Sequence, residues 1–339
     1  MRWPPNRKKS ASPSSAKNSI SVSKPPRNPK VGRRRPARPV RDAVAAIVTQ
    51  DARAKVNLTL RVLGRRADDY HLLQSLVVFP ALADRLVARA ADDLTLDLAG
   101  PFAAALAGGP NGEDDNLVLR AARVLRREAG VVAGAHLTLE KNLPVASGIG
   151  GGSADAAATL RILSRLWNVT MDEAALAEIA TTLGADVAVC LSPRPALMWG
   201  IGERIARLDA LPPFWLLLAN PGIALATKAV FRELAAPRFS AMQKAPPHPA
   251  FASLDALLAW LAREGNDLER PAKALAPEVG QVLAALGATQ GCRLARMSGS
   301  GATCFGLYAD ERAAREAARV LGAAHAGWWL EAAPVNGSG

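Results

Sequence analysis

A glycine-rich segment has the clearest chemical meaning in this sequence. It runs from Lys141 to Ala157 and contains four glycines among residues 148–152. A strand-like stretch precedes it, and a helix-like stretch that starts at Ser153 follows it. Glycine lets a backbone approach a ligand closely, and N–H groups at the start of a helix attract phosphate. The segment therefore predicts a phosphate-binding loop, although it lacks the lysine of the GxxxxGK[ST] pattern.

Three other segments carry polar side chains that could take part in chemistry, but their spacing alone does not show whether they do. Lys55 and Asn57 lie two residues apart in an alternating stretch, so both leave one strand face, which is either solvated or functional. Asp186 follows the expected helix end at Gly184 and is either a turn residue or a functional carboxylate. Residues 297–304 form a glycine-rich turn between two strand-like stretches, for which a simple hairpin is the alternative.

Strands and helices must position these segments. Alternating apolar residues predict strands at 52–62, 94–98 and 135–141. Helices are expected from Asn116 to Glu128, from Ser153 onward, and from a capping box, Thr170-x-x-Glu173, to Gly184. Because strands and helices do not alternate strictly, the pattern favours an α+β fold.

The positive charge of the chain is concentrated in one segment. The formal net charge is +12, yet residues 1–41 hold 13 Lys and Arg and no acid, which leaves 29 basic and 30 acidic residues elsewhere. Eight prolines, seven serines and no apolar periodicity predict a disordered basic tail over residues 1–45. Weak nucleic-acid binding, an organellar transit peptide and an over-long predicted start are the alternatives for its origin.

The remaining composition excludes several classes of protein. Three cysteines without a CxxC pair argue against a disulfide framework or a structural zinc site and favour a cytoplasmic location. No apolar run reaches the ~20 residues that a membrane-spanning helix needs. The 339 residues leave room for about two domains. We expect these domains at 46–207 and 208–335, with a long Pro-rich loop at 237–250.

Considered together, the segments resemble the GHMP kinase superfamily, which contains galactose, homoserine, mevalonate and phosphomevalonate kinases. The three superfamily motifs are matched, in order, by Pro144–Ala157, Leu183–Asp186 and Met297–Ala302. Further segments are similar to the branch that acts on a cytidine diphosphate ester of methylerythritol: Ala54–Leu58, Asp69–Gln74, Asp115–Val118, Gly200–Glu203 and Asn266–Glu269. The resemblance covers residues 50–335 and omits only the basic tail and the last residues.

The resemblance implies a fold, a reaction and partners. It implies a two-domain GHMP kinase fold with the active site in the interdomain cleft, and ATP-dependent phosphorylation of the 2-hydroxyl of the ester. Lys55 and Asp186 would be the catalytic pair, with Asp186 as general base and Lys55 as its charge partner. ATP and Mg²⁺ are the implied cofactors. We expect a small-molecule partner, no membrane, no specific nucleic acid, and a monomer or weak homodimer.

The resemblance also assigns binding residues. For ATP they are Asn116, Leu117, Pro144, Val145, Ala146, Ser147, Gly148, Ile149, Gly150, Gly151, Gly152, Ser153, Ala154, Ser298, Gly299, Ser300 and Gly301. On the substrate side, Tyr70 and Phe231 would stack on the cytidine ring, and His71 and Lys141 would bind its edge. Asn57, Asp155 and Thr227 would lie near the methylerythritol and diphosphate. The sequence departs from the family pattern at Asp69, Ala154 and Ser300.

Two alternatives of different kinds remain. Another small-molecule GHMP kinase is disfavoured, because Lys55 and the Asp69-Tyr-His71 segment belong to the cytidyl-substrate branch. A nucleic-acid-associated protein is suggested by the basic tail and predicts salt-sensitive binding that disappears when residues 1–41 are deleted. The kinase interpretation predicts that this deletion leaves turnover intact.

Overall fold

The fold mixes short strands and helices along the chain. A computed structural model describes residues 47–68, 70–107, 116–234 and 249–335. The predicted tail at 1–45 and residues 237–248 of the predicted loop lie outside these ranges. The strands are β1 (Val48–Arg53), β2 (Val56–Asn57), β3 (Arg61–Arg65), β4 (His71–Val78), β5 (Ala83–Ala91), β6 (Leu94–Ala99), β7 (Gly134–Glu140), β8 (Ala196–Gly200), β9 (Arg204–Arg207), β10 (Phe214–Asn220), β11 (Leu294–Met297), β12 (Cys304–Tyr308) and β13 (Trp329–Val335).

The described residues also form ten helices. They are α1 (Ala103–Ala107), α2 (Leu117–Glu128), α3 (Gly151–Leu166), α4 (Glu173–Leu183), α5 (Ala185–Cys190), α6 (Thr227–Glu233), α7 (Leu254–Arg263), α8 (Glu269–Leu275), α9 (Glu278–Ala288) and α10 (Glu311–Ala324). Within the described residues, no helix combines the length and the apolar composition that crossing a membrane requires.

The strands form three sheets. The first has the order β1-β5-β7-β6, in which β6 and β7 are parallel and the other pairs are antiparallel. The second has the order β2-β4-β8-β9, with β3 also paired to β4. The third has the order β11-β12-β10-β13 and is antiparallel throughout. This arrangement, without a repeated βαβ unit, confirms the predicted α+β class.

Three hydrophobic clusters hold the elements together. The first packs α2, α3 and α5 on the first sheet, and the third packs α8, α9 and α10 on the third sheet. The middle cluster contains Leu197 of β8 and Phe214 of β10 together with Leu257 of α7. This cluster therefore includes residues from both sides of the predicted boundary at 207/208. The division into two domains stays a prediction.

The predicted single strand at 52–62 is wrong. β1 pairs with β5 in the first sheet, whereas β2 and β3 pair with β4 in the second. The chain changes sheet at Ala54 and Lys55, whose N–H groups donate to Leu82 O and Ile149 O at 2.8 and 2.9 Å. The alternating apolar residues from Ala52 to Leu60 are buried and Val62 is partly exposed, but Lys55, Asn57 and Thr59 are buried too. The face that carries these polar residues is therefore covered by protein.

The structure confirms other local predictions and shifts two helix starts. The strands predicted around 94–98 and 135–141 are β6 and β7, and residues 297–304 join the antiparallel pair β11 and β12. Asn116 caps α2, because its Oδ1 accepts from Val118 N at 2.9 Å. The predicted capping box at Thr170 is wrong: Asp172 caps α4 by accepting from Ala175 N at 2.7 Å. Helix α3 begins at Gly151, two residues before the predicted start.

Candidate active site

The glycine-rich loop runs from the end of β7 into helix α3. Gly148 and Gly150 have positive φ angles of 78° and 64°, which side chains rarely tolerate. A Cβ on Gly148 would lie 2.4 Å from Ser298 O, so the loop and the later glycine-rich turn touch backbone to backbone. Gly150 precedes α3 without a capping side chain. The first N–H groups of α3 therefore have no partner from within the helix, as a phosphate-binding helix start requires.

The turn at residues 298–301 packs directly on this loop. Ser298 Oγ donates to Gly148 O at 2.9 Å and accepts from Asn57 N at 3.1 Å. Thr303 N, just after the turn, donates to Ser147 O at 3.0 Å. These contacts bring together the first and third glycine-rich segments and the strand that carries Asn57.

Lys55 and Asp186 form an ion pair, with 2.8 Å between Nζ and Oδ2. The Lys55 side chain is 5% exposed, whereas that of Asp186 is 42% exposed and lies in the first turn of α5. Two arginines hold this short helix in place, because Arg161 donates to Cys190 O and Leu191 O and Arg207 donates to Val189 O. Burial raises the pKa of the Cys190 thiol to about 12, so this neighbour is neutral. Asp186 is thus a carboxylate fixed beside a cation and open to solvent on one side.

These groups lie around a cavity of about 310 Å³. Lys55, Asn57 and Asp186 line it together with many of the predicted ATP-binding residues, namely Leu117, Ala146, Ser147, Gly148, Gly150, Gly151, Gly152, Ser153, Gly299 and Ser300. The other predicted ATP-binding residues are not part of this lining: Asn116, Pro144, Val145, Ile149, Ala154, Ser298 and Gly301. Ile149 and Ala154 are buried, so the departure at Ala154 places a methyl group in the core.

A larger cavity of about 710 Å³ adjoins the first, because Leu73, Thr227 and Phe231 line both. Its wall contains the predicted aromatic residues, with the rings of His71 and Phe231 stacked at 4.6 Å between centroids. Tyr70 also lines it and is 60% exposed. Thr227 Oγ1 lies 2.9 Å from Ser300 Oγ, which links the two cavities at their junction.

The structure corrects the predicted contact of Lys141 with the cytidine ring. Lys141 is 1% exposed, and its Nζ forms ion pairs with Asp84 and Asp155, the latter at 2.8 Å. Asp155 is equally buried and lines neither cavity. Both side chains therefore support the loop from below, since a Cβ on Gly151 would lie 3.0 Å from Lys141 Nζ. Lys141 is held inside the protein because both of its partners, Asp84 and Asp155, are buried carboxylates.

The charges of this buried cluster do not balance. Two carboxylates share one ammonium, and Asp84 also accepts from Asn142 N and Leu143 N at 2.6 and 2.8 Å. Burial, together with the neighbouring Asp84 charge and against the attraction of Lys141, raises the pKa of Asp155 to about 7. The pKa of Lys141 is raised, because the two carboxylates outweigh the effect of its burial. The second oxygen of Asp155, Oδ1, is buried and has no hydrogen-bond partner among the described residues.

Sequence reasoning missed several residues of these sites. Asp84 lies in β5 between Ala83 and Arg85, and its spacing does not mark it as the partner of Lys141. Arg65, Lys228 and Arg232 bring positive charge to the larger cavity, and a basic residue beside Thr227 and Phe231 could have been noticed. Within the described ranges, no three His, Cys, Asp or Glu side chains gather as a metal-binding group.

The fold and the site together define a GHMP kinase. Sequence models described as "GHMP kinases N terminal domain" and "GHMP kinases C terminal" match residues 116–194 and 242–327. A protein of Parvibaculum lavamentivorans named 4-diphosphocytidyl-2-C-methyl-D-erythritol kinase is 66% identical over 290 residues, covering 86% of this chain and 99% of that protein. One of the same name from Cereibacter sphaeroides is 54% identical over 291 residues, covering 84% and 98%.

A solved structure agrees with these relatives. The crystal structure of a 4-(cytidine 5'-diphospho)-2C-methyl-D-erythritol kinase matches with a TM-score of 0.67 and 36% identity, over 86% of this chain and all of that one. The chain belongs to the 4-diphosphocytidyl-2-C-methyl-D-erythritol kinase family and is a kinase. The predicted resemblance is confirmed.

Proposed function

We propose that the protein transfers the γ-phosphoryl group of ATP to the 2-hydroxyl of 4-diphosphocytidyl-2-C-methyl-D-erythritol in isoprenoid precursor synthesis. The names of its relatives support this substrate. The observation that carries the proposal is the Lys55–Asp186 ion pair in the cavity that the glycine-rich loop also lines. An accessible carboxylate beside a phosphate-binding loop is what phosphoryl transfer to a hydroxyl group requires.

Asp186 acts as the general base in this proposal. It accepts the proton of the 2-hydroxyl as the new O–P bond forms and the bond to the β-phosphate of ATP breaks, leaving ADP. Lys55 holds the carboxylate in place through the 2.8 Å ion pair between them. Its ammonium also stabilises negative charge near the reacting oxygens. The backbone contact of Lys55 with Ile149 ties the pair to the loop that binds the phosphates.

The ATP phosphates bind at the glycine-rich loop. The N–H groups of residues 150–153 and the start of α3 stabilise negative charge there. Asp186 supplies the carboxylate among the lining residues. This donor set fits Mg²⁺, which is commonly held by one or two carboxylates and nucleotide phosphates. When bound with ATP, the ion would neutralise charge on the phosphates.

The cytidine end of the substrate occupies the larger cavity. Phe231 and Tyr70 offer aromatic surface to the ring, and His71 offers a nitrogen to its edge. The methylerythritol end reaches Asn57 and Thr227, because Thr227 lies where the cavities meet. The basic side chains of Arg65, Lys228 and Arg232 make the wall suitable for a diphosphate.

The test is turnover by the purified protein with ATP, Mg²⁺ and the cytidyl ester. We expect Asp186→Ala and Lys55→Ala to lower kcat by about 10²–10⁴-fold, the usual contribution of a general base and its partner. Asp255→Ala is the matched control, because Asp255 forms an exposed 2.8 Å ion pair with Arg293 and neither residue lines either cavity. It should retain wild-type turnover.

The same assay separates the alternatives. Homoserine and mevalonate serve as competing acceptors for the wild-type protein, and their phosphorylation in place of the cytidyl ester would assign another GHMP kinase activity. Undiminished turnover in both active-site variants would refute the catalytic pair. Deletion of residues 1–41 should leave kcat unchanged.

A further inference from the structure

The segment Asn266–Glu269 connects two parts of the site that are distant in the sequence. Leu60 N donates to Gly265 O, and Asp267 N donates to Leu60 O, both at 2.8 Å. Asp267 Oδ2 accepts from Val62 N at 2.7 Å. The segment is therefore attached to the stretch of chain that follows Lys55 and Asn57.

Asn266 reaches from this segment to the glycine-rich turn at 298–301. Its side-chain amide is buried, and Nδ2 donates to Met297 O and to Gly299 O, each at 2.8 Å. Its Oδ1 accepts from Leu268 N at 3.0 Å. The two donor hydrogens of the amide thus hold the carbonyl just before the turn and one carbonyl within it. A buried carbonyl that loses its donor is costly.

The turn that Asn266 holds forms part of the smaller cavity. Gly299 and Ser300 line the cavity, and Ser298 is hydrogen-bonded to Gly148 O of the glycine-rich loop. The fit between turn and loop is close, since a Cβ on Gly299 would lie 2.7 Å from Gly148 O. A small movement of the turn would therefore change the shape of the phosphate-binding surface.

We propose that Asn266 is a positioning residue that fixes the turn at 298–301 against the glycine-rich loop for ATP binding. The proposal rests on the proposed function, because it takes ATP as the ligand of the smaller cavity. Asn266 touches no substrate in this role and acts through Met297 and Gly299.

The test compares ATP binding with substrate binding in Asn266→Ala. We expect the Kd for ATP, measured by titration calorimetry, and the KM for ATP to rise about tenfold. The KM for the cytidyl ester should stay within about twofold. Asn266→Ser keeps one donor hydrogen where the amide has two and should give an intermediate rise of about threefold. Asn266→Ser replaces Asn266→Ala in the test if the alanine variant does not fold.

Asn220→Ala is the matched control. Asn220 is buried, and its Oδ1 accepts from the N–H two residues later, as in Asn266. Its Nδ2, however, donates to Thr303 Oγ1, a side-chain oxygen just after the turn, rather than to backbone carbonyls. We expect both alanine variants to lower Tm by roughly 5 °C. Asn220→Ala should leave the Kd for ATP within about twofold.

Each remaining outcome decides one of the two proposals. A wild-type protein that neither binds ATP nor phosphorylates the ester would overturn the proposed function. Wild-type activity with an unchanged Kd for ATP in Asn266→Ala or Asn266→Ser would overturn the positioning role. So would an equal rise in Asn220→Ala, because the effect would then follow from lost stability alone.

Discussion

Two lysines lie under adjacent glycines at the start of α3, and each faces aspartate. A Cβ on Gly150 would lie 3.2 Å from the Lys55 side chain, and one on Gly151 would lie 3.0 Å from Lys141 Nζ. Lys55 pairs with Asp186, which is 42% exposed, whereas Lys141 pairs with Asp84 and Asp155, which solvent does not reach. The residue types are the same, so solvent access to the carboxylate separates a pair available for chemistry from a cluster that supports the backbone.

The difference has an energetic basis. A ligand can approach Asp186 from the solvent side, because its carboxylate is partly exposed and keeps its ion pair with Lys55. Removing one partner of a buried ion pair costs about 3–5 kcal/mol, because the remaining charge stays desolvated. Lys141, at the end of β7, is also joined to the first turns of α3 through Asp155. The position of the glycine-rich loop between these two elements therefore depends on Lys141.

Replacing each lysine by methionine should break this comparison most clearly. Lys141→Met leaves two buried carboxylates without a cation, and we expect the free energy of unfolding to fall by about 3–5 kcal/mol. Lys55→Met leaves a partly exposed carboxylate, so the loss should be about 1 kcal/mol while turnover falls steeply. Urea denaturation and kcat are the measurements. Equal stability of the two variants would remove the distinction between the two groups.

A methyl group on Gly150 should have the next largest effect. Gly150→Ala introduces strain at a φ of 64° and presses on the Lys55 side chain, so we expect kcat/KM for ATP to fall about 30-fold. Gly130→Ala is the matched control, because Gly130 has a φ of 63° and a Cβ there would meet nothing within 4 Å. Both variants should lose about 1 kcal/mol of stability. A comparable loss of activity in Gly130→Ala would mean that backbone strain alone accounts for the effect.

The pH dependence of stability should show the smallest effect. The pKa of Asp155 is about 7 in the folded protein, mainly through burial, and 3.8 is its ordinary value. Between these pH values the folded chain holds a proton that the unfolded chain releases, so this group lowers stability as pH rises. Asp155→Asn does not titrate. Between pH 5 and pH 6 the free energy of unfolding of the variant should therefore rise by about 1 kcal/mol relative to that of the wild type, measured by urea denaturation. A constant difference between the two proteins would show that Asp155 is ionised throughout.

Periodicity predicted those elements of the fold that stay within one sheet or one helix. The alternation at Leu94, Leu96 and Leu98 matches β6, because one face of that strand packs on the first cluster. The stretch from 52 to 62 also alternates, but there the chain passes from the first sheet to the second. Sheet pairing depends on β4 and β5, which local sequence cannot reveal. The start of α4 was misplaced because Asp172 competes with Thr170 as a cap.

The candidate site could be predicted where its function depends on local backbone. The glycines at 148–152 and the turn at 298–301 mark places where main chain must approach main chain or a ligand, and that requirement is visible in the residue types. Asp186 had no such signal, and its place in the prediction came from the resemblance to GHMP kinases. Tyr70, His71 and Phe231 line the larger cavity together. Their contact with cytidine stays a proposal.

The sequence by itself determined the α+β class, the glycine-rich loop and the membership of the kinase family, because these depend on residue types and short spacings. Only the tertiary structure decided that the aspartate beside Lys55 stays exposed, that Lys141 and Asp155 lie below the loop, and that Asn266 holds the turn at 298–301. Those outcomes depend on burial and on hydrogen bonds between distant segments. Burial sets the cost of an unpaired charge or carbonyl, and it is a property of the packed chain.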